Sequence, residues 1–103
     1  SATFAGDKAN DATLSDLVIG EEKLSPVFNS AKYDYTVTAS GTSAAINAVA
    51  SQTGAQIKMQ FDNKPISNNQ NVKFAAGTHT LTITVSKGLS TISYTVKITK
   101  AGV

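Results

Sequence analysis

Apolar residues in this chain recur at every second position in short runs, and no window of about eleven residues or more carries them at the spacing of a helix face. The clearest run, "QIKMQFD" over residues 56–62, sets Ile57, Met59 and Phe61 on one side and Lys58, Gln60 and Asp62 on the other. A strand turns successive side chains to opposite faces, so this pattern is a strand with one face in a core and one in water. The same reading applies to Leu14 to Ile19, to Tyr33, Tyr35 and Val37, to Leu81, Ile83 and Val85, and to Ile92, Tyr94, Val96 and Ile98, with a shorter run around Val72 and Phe74. "SAAINAVAS" (residues 43–51) alternates more weakly and leaves two registers open, one burying Ile46, Ala48 and Ala50 and the other Ala45 and Val49. Gly20, Thr53-Gly54, Asp62-Asn63-Lys64-Pro65, Gly77 and Lys87-Gly88 supply the breaks. About seven short strands at roughly ten-residue spacing predict an all-β fold of two packed antiparallel sheets, a β-sandwich, because a parallel architecture would need crossover helices that the pattern does not provide. Lys97 and Lys100, if the last strand is an edge, would discourage pairing with another chain.

At 103 residues the chain has length for one core. Residues 1–12, small and polar, read as a linker that joins the domain to something longer, residues 13–100 as the sandwich and residues 101–103 as a tail. With no cysteine there is neither a disulfide framework nor thiolate chemistry. The nine positive charges are all lysine, never adjacent, and the net charge is only +2. That scattered field, without the bidentate fork of arginine, argues against a nucleic-acid partner. No apolar run approaches the roughly 20 residues of a membrane span, so direct insertion into a bilayer is not expected.

The stretch "LSDLVIGEEKLSPVFNSAKYDYTV" (residues 14–37) has an apolar strand, a glycine corner, an apolar hook and a second strand in that order. Gly20 permits the backbone angles a corner requires, Glu21, Glu22 and Lys23 keep it wet, and Leu24 and Phe28 plug one mouth of the sandwich, with Pro26 restricting the hook between them. This segment, through Leu14, Leu17, Gly20, Leu24, Ser25, Pro26, Phe28, Tyr33 and Val37, resembles the opening of the bacterial cadherin-like β-sandwich family. The close "GTHTLTITVSKGLSTISYTVKI" (residues 77–98) is similar to that family's ending, through Gly77, Leu81, Ile83, Val85, Gly88, Tyr94 and Val96. The resemblance implies an immunoglobulin-like antiparallel β-sandwich that serves as a non-catalytic accessory module, often repeated, in secreted, cell-surface and sometimes phage virion proteins. Its implied partners are neighbouring modules of the same polypeptide and a cell-surface glycan or protein; it implies no cofactor.

Few residues offer chemistry of their own. His79 is the only histidine, so catalytic triads and histidine-rich metal sites lack partners, and a structural role is expected. Asp7, Asn10 and Asp11 could lend oxygens to calcium, yet that ion takes about six to eight, and a solvated linker is the plainer reading. Asn63, Asn68, Asn69, Gln70 and Asn71 are candidates for a glycan-binding loop, since amides both donate to and accept from sugar hydroxyls. An aromatic platform for sugars is not expected: there is no tryptophan, and Tyr33, Tyr35, Phe61, Phe74 and Tyr94 share parity with core aliphatics, leaving Phe4 exposed. The lysines take outward positions or turns, which leaves none placed for a covalent link to asparagine.

Overall fold

Over residues 11–101, which the computed structural model describes, the alternation forms eight strands. They are β1 (Leu14–Ile19), β2 (Asp34–Ala39), β3 (Ser43–Ala50), β4 (Gln56–Phe61), β5 (Lys64–Ile66), β6 (Gln70–Lys73), β7 (Gly77–Lys87) and β8 (Ser90–Lys100). One sheet has the order β1-β3-β6 and the other β2-β8-β7-β4-β5. Between them lies an apolar layer in which Leu14, Ile46, Leu81, Ile83, Val85, Tyr94, Val96 and Ile98 have no exposed surface, and no charged side chain is buried among the described residues. The open register of β3 is settled by this layer: Ala44, Ile46 and Ala48 point inward, and Val49 stands on the outer face.

The eighth strand was not expected. Asp62 and Asn63 end one strand and start another, because both take positive φ, 51° and 68°, the requirement of the two-residue turn whose twist matches a hairpin. Asp and Asn tolerate that region better than other side chains. Pro65, which cannot donate to a ladder, then falls on β5, an edge strand of its sheet.

Two further expectations are corrected. The pairing is not wholly antiparallel: β2 runs parallel to β8, from Asp34↔Thr95 to Ala39↔Lys100. A parallel pair needs a long connection, and here β3 to β7 supply it without a helix, since the chain changes sheets between them. In consequence β8 is interior, flanked by β2 and β7, and Lys97 guards no edge. Tyr33, expected in the core, precedes β2 and is 42% exposed, with its ring edge-on to Tyr94 at 5.3 Å between centroids.

The hook packs as the sequence suggests. Leu24 and Phe28 are half-buried against the core, and Phe28 stacks on Tyr35 at 5.7 Å. Ser25 and Thr36 exchange two backbone hydrogen bonds, 2.9 and 2.8 Å, so the hook lies along the outer edge of β2. The strands have a polar order: β1 starts beside Tyr94, and β8 ends beside Ala39 and Gly77 at the other extreme. Six residue steps along β8, from Tyr94 to Lys100, separate these poles by about 20 Å.

At the corner Gly20 has φ +54°, its N–H donates to the Ala45 carbonyl, and a Cβ built there would stand 2.7 Å from the Ala44 Cβ. Gly20→Ala is therefore expected to lower stability to urea by about 1–3 kcal/mol, the strain of a left-handed backbone plus the overlap. Gly41→Ala, where the added methyl meets only ordinary contacts, is the near-neutral control; equal midpoints for the two variants would contradict the corner.

Candidate functional site

The amide-rich segment does not form one loop. Asn63 sits in the β4–β5 turn, Asn68 and Asn69 follow β5 at its other end, and Gln70 and Asn71 belong to β6. Several of these amides are occupied by the fold. The Asn68 side chain takes the N–H of Ala48 on Oδ1 at 2.9 Å and donates Nδ2 to the Ala48 carbonyl at 2.8 Å, imitating a strand neighbour where β6 has not yet begun. Asn69, at φ 69°, gives its N–H to the Ile46 carbonyl, and its Oδ1 accepts from Asn47 Nδ2 at 2.6 Å. Gln70 Oε1 accepts from the Ser67 N–H at 2.9 Å.

Of the acidic candidates, Asp7 and Asn10 lie outside the described residues. Asp11 Oδ1 accepts from the Thr13 hydroxyl at 2.6 Å and its N–H at 3.0 Å, and these two bonds, the hydroxyl first, hold the carboxyl below its ordinary pKa. One of its oxygens thus caps the entry to β1. Among the described residues no three His, Asp or Glu side chains gather at one point.

His79 sits half-buried against Phe61, with ring centroids 5.2 Å apart. Its Nε2 lies 2.7 Å from the Ala75 carbonyl and its Nδ1 2.6 Å from Asp62 Oδ2. Both neighbours are acceptors, so both ring nitrogens donate in the imidazolium form, and the Ala75 carbonyl followed by Asp62 raises the pKa from its ordinary 6.5. Burial alone would raise Asp62, but the bonds from His79 and from the Thr80 N–H outweigh it and hold the carboxyl below 3.8. With both nitrogens committed, His79 has neither available for a substrate proton. It ties the loop before β7 to the β4–β5 turn.

Side-chain hydrogen bonds that the sequence pattern does not assign hold the two poles. At one, the Tyr94 hydroxyl accepts the buried Leu14 N–H at 3.0 Å and donates to the Ser30 carbonyl at 2.8 Å, so a single phenol on β8 joins the start of β1 and the end of the hook. Burial raises its pKa, keeping it a donor. The Tyr35 hydroxyl takes the Asn29 N–H at 2.9 Å and has the Asn29 and Lys32 carbonyls at 2.6 and 2.8 Å to receive its proton. A tyrosine at an inward position needs a partner for its hydroxyl, and that was the readable signal. At the other pole Glu22 is no mere wet corner. Its carboxylate accepts the N–H groups of Ser40 and Gly41, at 3.0 and 2.9 Å, and the Ser40 hydroxyl. Those backbone bonds, Ser40 before Gly41, lower its pKa. No local pattern announces a contact between residues so far apart in sequence.

The chain matches the family described as "Cadherin-like: Cadherin-like beta sandwich domain" over residues 10–101. No curated protein matches it.

The His79 contacts set the sign of a pH dependence. With the folded pKa raised above 6.5, their stabilisation is complete below that pH and is lost as pH rises through the folded value. Screening at this partly solvated site keeps the change below about 1 kcal/mol. Urea midpoints are expected to fall between about pH 6 and about pH 9, with His79→Gln flattening the profile. A wild-type midpoint that holds or rises over that range would contradict the doubly donating ring.

Proposed function

The chain belongs to the cadherin-like beta sandwich domain family, and from that premise we propose that it is a non-catalytic spacer or presentation module of a larger secreted or cell-surface protein. The observation that carries this reading is the polarity of the fold. β1 begins at one pole and β8 ends at the other, about 20 Å away along β8, so copies or other modules joined through these strands would follow one another in a line. A binder presents a site and a link presents two ends; here the most specific polar contacts gather at the ends. Tyr94 and Tyr35 secure the pole where the chain enters, and Glu22 the pole where it leaves.

The same geometry weighs against the glycan-binding alternative. Both polar atoms of the Asn68 side chain are held by Ala48, and Asn69 and Gln70 support neighbouring backbone and side chains. Among the described residues, which leave out Phe4, the exposed Tyr33 ring lies edge-on to the buried Tyr94 with no second exposed ring beside it to make a platform.

Two copies fused end to start test the proposal by small-angle X-ray scattering. The second copy is expected to lengthen the particle by about 20 Å or more, the separation of the two poles. Copies that fold back side by side, with the longest dimension little changed, would contradict a spacer. Amide shifts at Asn68 to Asn71 on adding oligosaccharides would favour the glycan reading in its place.

A further inference from the structure

We infer that this module bears tension between its two ends, through two hydrogen-bonded ladders loaded in shear. The inference rests on reading the domain as a link in a longer chain and adds what such a link withstands. A pull applied before Leu14 and after Lys100 draws β1 along its own axis toward one pole and β8 along its own axis toward the other. Ladder bonds run across the strands, so an axial pull strains every rung of a ladder at once instead of parting them one after another.

β1 meets the load first. It is held to β3 by pairs from Leu14↔Ala50 to Ile19↔Ile46, by the Ser51 N–H on the Thr13 carbonyl, and by its Leu14 N–H on Tyr94 of β8. Should β1 slip, the load passes round Gly20 and along the hook to the start of β2, and here the parallel pairing matters. An antiparallel neighbour of β8 would begin at the pole where β8 ends, and a pull on those two ends would unzip the pair. β2 is parallel, so its start lies at the opposite pole from the end of β8, and the six pairs from Asp34↔Thr95 to Ala39↔Lys100 are sheared together.

The hook completes this second ladder. Thr36 turns both its N–H and its carbonyl outward to Ser25, which by strand alternation turns those of Tyr35 and Val37 toward β8. Phe28 stacked on Tyr35 and the Ser30 carbonyl on the Tyr94 hydroxyl fix the hook to the same pair of strands. β8, the strand that takes the load at its end, is gripped on its other side by the pairs with β7 from Gly77↔Lys100 to Lys87↔Ser90.

The absence of cysteine makes the test direct, since introduced thiols are the only ones present. Handles on Asn10→Cys and Ala101→Cys pull end to end. Handles on Ala76→Cys and Ala101→Cys pull at one pole, where Gly77 faces Lys100 and the β7–β8 ladder opens rung by rung. Ala76 and Ala101 are exposed and outside the strands, so the attachments leave the fold in place, which matching urea midpoints verify. At one loading rate in optical tweezers, the end-to-end rupture force is expected to be several-fold higher than the single-pole force. Equal forces, or a weaker end-to-end pull, would overturn the inference while leaving the spacer reading intact, because the solution length of tandem copies does not depend on rupture force.

Discussion

The structure depends on one layer of burial, the inward face of the β7–β8 hairpin against β1 and β3. Leu81, Ile83, Val85, Tyr94, Val96 and Ile98 are fully enclosed, as are Leu14 and Ile46 from the facing sheet. At about 1.5–3 kcal/mol for each large side chain removed from water, this layer outweighs any surface contact in the molecule. It also fixes register: a one-residue slip of β8 would drive Thr95, Lys97 and Thr99 inward and carry the apolar set out into solvent. Everything else hangs on a strand whose position is set in this way.

With the middle sealed by apolar side chains, polar specificity moves to the ends. The hydroxyls of Tyr94 and Tyr35 reach from the core to the backbone of the hook, and Glu22 reaches across to the turn after β2. His79 and Asp62 do the same between the β4–β5 turn and the loop leading to β7. Tyr94, Tyr35, Glu22, His79 and Asp62 are thus bound up in holding the chain's path. A domain built so is suited to passing a chain from one pole to the other, which is why the functional reading is a link.

Much of this was legible in the alternation. Gln56 to Phe61, the long runs of β7 and β8, the corner at Gly20 and the Leu24–Phe28 hook all follow from local pattern, because a two-residue period and a glycine break are local properties. Partner choice among strands is not local. That β2 lies parallel to β8, and that β8 is therefore interior, is decided by which sheet each strand joins. β5 escaped notice because three residues containing a proline carry little strand signal, and only the paired positive φ values of Asp62 and Asn63 reveal the hairpin. Tyr33 shared the parity of Tyr35 yet stands before the strand begins, where parity no longer decides burial. The backbone contacts of Asn68 and Glu22 were not legible for a common reason: amides and carboxylates read as solvent-facing until the backbone groups they satisfy are known.

Hydrogen exchange of individual amides tests most directly whether the hook and the pole contacts belong to the sandwich's cooperative unit. The Leu14 amide, held by Tyr94, and the Ser25 and Thr36 amides, held by each other, are expected to exchange slowly and together with those of β7 and β8, orders of magnitude behind exposed Val27. Leu14 and Ser25 exchanging as fast as Val27, with β7 and β8 still protected, would contradict the account.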